Sequence, residues 1–245
     1  MAVELRDAAL RGVVWNDSDA TALLCHNHNH DVEELRLEDC AGLCAPQLSS
    51  RELRYAEIAR CPQLSDEAVA SLFGDEDGAA PLLRAVSIRD CPAMCQPLLL
   101  SRSLRCLSLV DCIGLQDAAV APLFGGGCCP ALRRLNLSGC EGLVQPLCDV
   151  ALSTDPCGLR HVSFARCIAL SDDAATALLC GACPELESVD LSKTRLASPF
   201  GSASEVSASL RHAKFDRCDN LTTVAVNAVL GGCPSLRTFS AEGFR

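Results

Sequence analysis

Eighteen cysteines in 245 residues are enough for a disulfide framework, a metal centre or a redox pair, and spacing decides among these. Cys180-Gly181-Ala182-Cys183 has the C-x-x-C spacing of a redox dithiol or of half a zinc site. No second pair stands at zinc-finger distance, so the motif falls short of a tetrahedral set. In Cys25-His26-Asn27-His28-Asn29-His30 an extended backbone points His26, His28 and His30 to one side, where imidazoles would share a metal. The same residues also read as a polar loop ahead of a strand near Val32, and the loop is the reading adopted. Gly125-Gly126-Gly127 lacks the Lys-Ser/Thr of a phosphate loop. No nucleophile stands with a base and no carboxylates cluster in a recognisable motif. The chain is therefore read as a protein without catalysis, cofactor or metal.

Composition narrows the partners. Apolar residues make up 49% and aromatics 4%, so the core is built from Leu, Val, Ala and Cys. The net charge of −10 repels nucleic acid and anionic membrane surfaces. No apolar run approaches the ~20 residues of a membrane span, and the charged start Met1-Ala2-Val3-Glu4-Leu5-Arg6-Asp7 does not resemble a signal peptide. A cytoplasmic or nuclear location is expected, where thiols stay reduced.

The elements that position these residues follow from a repeat. Leu132-Arg-Arg-Leu135-Asn-Leu137-Ser-Gly-Cys140 has the form L-x-x-L-x-L-x-x-C, and the frame recurs from Leu5, Val32, Leu53, Leu83, Leu104, Leu159, Leu186, Leu210 and Leu236. Numbering each copy from its anchor, columns one, four and six are apolar in all ten, and column twelve adds Leu43, Leu64, Met94, Leu115, Leu143, Leu170 and Leu221. Alternation across columns three to seven predicts a short strand with one buried face. The second half turns helical over 64–73, 115–124 and 170–179, with Ser171 as an N-cap followed by Asp172 and Asp173. Gly74, Gly125 and Gly231 are placed as helix C-caps. The 21-residue copies from Val32 and Leu83 leave room only for a loop or a turn. Such units bury their apolar faces by stacking, which predicts one α/β solenoid over residues 1–245, with a concave parallel sheet and convex helices and loops. Its last copy, with Leu236, Phe239, Ala241 and Phe244, stops before a return segment. The expectation is an uncapped end that frays, and a chain that is a piece of a longer one.

Column nine is Cys40, Cys61, Cys91, Cys112, Cys140, Cys167 and Cys218, and Cys-Pro-x-Leu opens three copies at Cys129, Cys183 and Cys233. The combined pattern C-P-x-L-x-x-L-x-L-x-x-C-x-x-L-[ST]-D resembles the cysteine-containing class of leucine-rich repeats. That class is best known from the substrate-recognition parts of F-box/LRR ubiquitin-ligase adaptors. The resemblance implies a horseshoe fold and a protein-binding role. The helical F-box that precedes the repeats in that family has no counterpart here, so contact with ligase subunits would need a missing or separate F-box. The cysteines themselves are read as small buried hydrophobes at the turn leaving each strand.

Function in this architecture is expected on strand positions that point away from the core, in columns three, five, seven and eight. The residues assigned to partner binding there are Glu34, Arg36, Glu38, Tyr55, Glu57, Arg89, Arg134, Asn136, His161, Asp190, Lys193, His212, Lys214 and Arg217. The copies from 32 to 104 carry six acids and three bases in these columns, and those from 132 to 210 five bases and two acids. A bipolar face follows, with Tyr55 as its single aromatic. Column two is read as Arg in eight copies (Arg6, Arg54, Arg84, Arg105, Arg133, Arg160, Arg211 and Arg237). This row is taken as a solvated edge, with recognition of an acidic or phosphorylated segment as the alternative. The expected function is a noncatalytic interaction scaffold that receives a protein partner or ubiquitination substrate. A signalling adaptor without a ubiquitin link is the alternative, and a zinc- or redox-responsive protein a third.

Overall fold

The structure, a computed structural model, describes residues 2–6, 18, 32–46, 52–73, 80–125, 127–147, 157–199 and 207–243. The His26–His30 tract and Gly74 lie outside these residues. Ten strands follow the chain as β1 (Ala2–Arg6), β2 (Glu34–Glu38), β3 (Tyr55–Ala59), β4 (Ala85–Arg89), β5 (Cys106–Val110), β6 (Arg134–Asn136), β7 (His161–Ser163), β8 (Ser188–Asp190), β9 (His212–Lys214) and β10 (Thr238–Ser240). They form one parallel sheet in sequential order, with no strand skipped. The fold is a leucine-rich-repeat solenoid with its sheet on the concave face.

The register aligns like columns. Leu35, Ala56, Val86, Leu107, Leu135, Val162, Val189, Ala213 and Phe239 are direct neighbours in column four. All but Phe239 are buried, as are the column-six and column-one residues from β2 to β9. The first copy departs from the expected frame. Val3 pairs with Leu35 and Leu5 with Leu37, so Val3 and Leu5 occupy columns four and six, and Leu5 is not the anchor. Arg6 stands opposite Glu38 in column seven and leaves the column-two row. Leu5, Ala8 and Leu10 satisfy the apolar frame as well as the true residues do, and only strand pairing separates the two phases.

Helices α1 (Asp66–Phe73), α2 (Asp117–Val120, continued by a 3₁₀ turn to Phe124), α3 (Asp172–Ala177, continued by a wide turn to Ala182) and α4 (Thr223–Gly232) belong to the copies from 53, 104, 159 and 210. Ser171 caps α3 by accepting from the Ala174 N–H at 3.2 Å, and Thr222 caps α4 through Ala225 at 3.1 Å. The expected glycine caps are absent from two sites. Gly231 lies inside α4, and Gly125 ends its turn at φ −87°, a right-handed conformation that needs no glycine.

The helical copies are tied to the copies beside them. The N–H groups of Ser65, Gln116, Ser171 and Thr222 donate to the carbonyls of Cys44, Cys95, Val144 and Ala197 in the preceding copy. In the following copy, Asp66 accepts from the Cys95 and Gln96 N–H groups at 2.8 and 2.9 Å, and Asp117 from Val144 and Gln145 at 2.9 and 2.8 Å. Asp172 accepts from Ala197 at 3.0 Å. These aspartates thus sit in the first helical turn, where the dipole favours them, and satisfy backbone donors of the next copy.

Strand exit has its own geometry. Asp39, Arg60, Asp90, Asp111, Arg166, Lys193 and Arg217 in column eight have φ between 52° and 65°, and Gly139 and Gly243 share the sign. Strict alternation would turn column eight inward. The left-handed residue keeps it outside and lets column nine enter the core. Its N–H stays on the ladder, as in Asp90 to Val110 O at 3.0 Å and Lys193 to Asp216 O at 2.7 Å. In column nine the thiols meet carbonyls. Cys140 donates to Leu109 O at 3.1 Å, Cys167 to Leu137 O at 3.0 Å and Cys218 to Leu191 O at 3.1 Å. Thr194 substitutes by donating to Leu191 O at 2.7 Å. A small side chain with one weak donor suits this position. Burial pushes the thiols of Cys112, Cys140 and Cys167 up to about 12.

Candidate functional site: the concave sheet

The solvent-facing columns contain every residue expected to bind a partner. Column three holds Glu34, Tyr55, Arg134, His161 and His212, and column five holds Arg36, Glu57, Asn136, Asp190 and Lys214. Glu38 and Arg89 stand in column seven, and Lys193 and Arg217 in column eight. Arg36, Tyr55, Arg89, Arg134, Lys193, Lys214 and Arg217 are exposed, while the others are half-buried against neighbours on the sheet.

The bipolar charge pattern is partly neutralised within the face. Arg60 bonds Asp39 through Nε at 2.5 Å and Glu38 through Nη2 at 2.6 Å. Glu57 lies 3.1 Å from Arg89 and 3.9 Å from Arg36. Arg166 reaches Asp111 at 3.0 Å across an intervening strand. That reach depends on Gly139, because a Cβ there would collide with the Asp111 carboxylate. Glu34, Arg134, Lys193, Lys214 and Arg217 form no ion pair among the described residues, so the unneutralised charges are fewer than the formal count.

Short polar side chains in column five shorten the strands. Asn136 Oδ1 accepts from the Ser138 N–H at 3.1 Å, and Asp190 Oδ1 from Ser192 at 3.0 Å. These local bonds take the column-seven donor away from the ladder, and β6 to β10 run three residues where β1 to β5 run five. Asp216 accepts from Ser240 Oγ and the Glu242 N–H, which hold its carboxyl below the ordinary range. His161 is lowered by burial and then by Arg134, while His212 Nδ1 and Thr238 Oγ1 are paired at 2.7 Å. His161 and His212 are separated by β8, and among the described residues no His, Cys, Asp and Glu group is arranged to hold a metal.

One feature of the face is a depression of about 450 Å³ on its first half. Its floor is Ala85, Ser87, Cys106 and Ser108 from columns three and five of β4 and β5, and Glu34, Arg36, Tyr55 and Glu57 form one wall. Tyr55 is 46% exposed. Large side chains on β2 and β3 stand beside two strands of small ones, which produces the trench. Individual sites were readable from the frame, but this juxtaposition was visible only by comparing column three across copies.

The other chemical candidates resolve into structural contacts. Cys183 faces Cys157 with sulfurs 3.4 Å apart, not its motif partner Cys180. In column two, Arg54 lies 3.7 Å from Glu33, and Arg160 lies 3.2 and 3.4 Å from Glu185 and Glu187. Arg133 donates to the Pro130 and Leu132 carbonyls. No helix among the described residues is long and apolar enough to cross a membrane.

No family model matches the sequence. Among solved structures the chain is similar to one described as the crystal structure of the Rad7 and Elc1 complex in yeast, with a TM-score of 0.39 and 15% identity. The match covers 94% of this chain and 80% of that one. The leucine-rich-repeat assignment stands on the strand register and the buried columns.

Proposed function

We propose that this chain is a noncatalytic scaffold whose concave sheet receives a protein segment. The trench beside exposed Tyr55 carries the reading. A partly exposed aromatic next to a small-residue depression is the arrangement in which a partner side chain becomes fully desolvated, as interface hot spots require. The finer proposal is that the segment belongs to a ubiquitination substrate and that the chain serves a cytoplasmic or nuclear SCF-type ligase, with a separate or missing F-box supplying the ligase contact. The cysteine-containing repeat pattern is its support.

The test places a photo-cross-linking amino acid at Ser87 or Ser108 on the floor, and at Leu230 on the convex side as control. Proteins captured from both floor positions and not from Leu230 are the expected result, with ligase subunits in the same complexes and longer partner half-lives after depletion of the chain. Capture only from Leu230 would refute the concave reading. Floor capture with unchanged half-lives would leave a signalling adaptor without a ubiquitin link.

A further inference from the structure

Column three forms a row across the sheet at right angles to the strands, reading Glu34, Tyr55, Ala85, Cys106, Arg134 and His161 from β2 to β7. The row is acid, aromatic, two small residues and base, followed by a histidine whose proton affinity is lowered by burial and by Arg134. Its two charges are among those that form no ion pair with the described residues of the face. Glu57 is shared by Arg36 and Arg89, and Asp111 is taken by Arg166, whereas Glu34 and Arg134 have no ion-pair partner among the described residues. Between them lies the depression of about 450 Å³, with Tyr55 standing 46% exposed at its side.

From this arrangement we infer the chemistry of the occupant: an extended segment of a partner protein with a Lys or Arg at one end, aliphatic side chains in the middle and an Asp or Glu at the other end. The inference rests on the concave docking reading and specifies its ligand. Glu34 and Arg134 are four strand steps apart, about 19 Å at ~4.8 Å per step, which an extended chain covers in about six residues. The basic end pairs with Glu34, the acidic end with Arg134, and the aliphatic side chains lie over Ala85 and Cys106 against the Tyr55 ring. Such a segment carries no net charge, so general attraction or repulsion by a chain of net charge −10 does not select it. Selection comes from the order of charges, because a like-charged segment places one end against a like charge on the sheet.

The experiment uses the full chain and fluorescein-labelled peptides with the core Lys-Gly-Leu-Gly-Leu-Gly-Glu, in which period two puts the charged and leucine side chains on one face, read by fluorescence anisotropy at low salt. Comparison peptides carry Lys at both ends, Glu at both ends, or Ser in place of both Leu. The opposite-charge peptide is expected to bind about three- to tenfold tighter than either like-charged one, the range two exposed ion pairs supply. Glu34→Arg should shift the preference to the peptide with Glu at both ends, and Arg134→Glu to the peptide with Lys at both ends. Tyr55→Ala should weaken all Leu-containing peptides and leave the charge ranking intact. A ranking that the two reversals do not move, or no binding by any peptide up to about millimolar concentration, would overturn the inference. Cross-linking from Ser87 and Ser108 that persists in both reversal variants would confine that failure to the charge assignment and leave the docking reading in place.

Discussion

Gly139→Ala tests how the two halves of the concave face are joined. Gly139 has φ +75° between Asp111 and Arg166, and a methyl at its Cα would occupy the place of the Asp111 carboxylate. Three effects add. The left-handed conformation costs an alanine about 1–2 kcal/mol. The smaller conformational freedom of the unfolded alanine chain offsets roughly 0.4–1 kcal/mol. Displacing Asp111 removes its contact to Arg166, whose side chains are 34% and 46% exposed, so solvent screening limits that loss to less than about 1 kcal/mol. The net expectation is a destabilisation of about 1–2 kcal/mol.

Urea unfolding followed by far-ultraviolet circular dichroism measures the total, and a double-mutant cycle with Asp111→Ser isolates the contact. In wild type, Asp111→Ser removes the ion pair. In the Gly139→Ala background the pair is already displaced, so the same change should cost nothing or recover part of the loss. The coupling should shrink in ~1 M salt, where the screening length falls to about 3 Å. Equal cost of Asp111→Ser in both backgrounds would refute the bridging role of the glycine, and a neutral Gly139→Ala would refute the conformational argument too.

Three further outcomes follow from the core and the repeat junctions. Stability should fall as pH rises from 9 towards 12, because unfolded thiols lose protons near 9 while burial holds Cys112, Cys140 and Cys167 protonated to about 12 and Cys129 to about 11. The folded state then binds more protons than the unfolded one, with a slope of up to roughly 1.4 kcal/mol per pH unit for each thiol; a flat profile in urea titrations across this window would contradict their burial. Asp117→Ala should cost about 1–2 kcal/mol and speed hydrogen exchange at the Val144 and Gln145 amides, while leaving the Cys95 and Gln96 amides, held by Asp66, unchanged. Phe215→Ala, at a fully buried site, should cost roughly 3–5 kcal/mol, and Phe239→Ala clearly less, since Phe239 is only half-buried beside it at a centroid distance of 5.9 Å; equal losses in thermal unfolding would show β10 to be as well covered as β9.

Periodic features of this fold are legible because the repeat samples them many times. Columns one, four, six, nine and twelve and the helices after Ser65, Gln116 and Ser171 could all be placed from residue type and spacing. The first copy could not, since Leu5, Ala8 and Leu10 imitate the frame that Val3 and Leu5 occupy and only pairing with β2 breaks the tie. The helix-end glycines were misassigned because the copies end their helices in different ways, Gly231 being absorbed into α4. The left-handed column eight is hidden in a residue set of Asp, Arg, Lys and Gly that reads as an ordinary solvated position. Its signal is the extra residue between columns six and nine, which breaks the period of two. The charge pattern of the candidate site was readable as a sum. Which charges remain available was not, because Arg166 finds Asp111 fifty-five residues away.

That distinction bears on how this surface would recognise anything. Much of the structural work of the repeat is done away from the side chains of columns three and five: aspartates staple neighbouring copies on the convex side, thiols meet carbonyls in the core, and the column-eight N–H groups continue the ladder at the strand ends. Columns three and five are thereby released from holding the solenoid together along β2 to β5, where the strands keep five ladder residues. From β6 to β8 Asn136, Ser163 and Asp190 spend their side chains on local turns, so column five is committed to the backbone there. The first half of the face is thus where side-chain identity is freest to serve a partner, and it is also where the trench and Tyr55 lie. Recognition by this chain is accordingly expected to centre on β2 to β6, with the basic residues of the last strands adding orientation more than affinity.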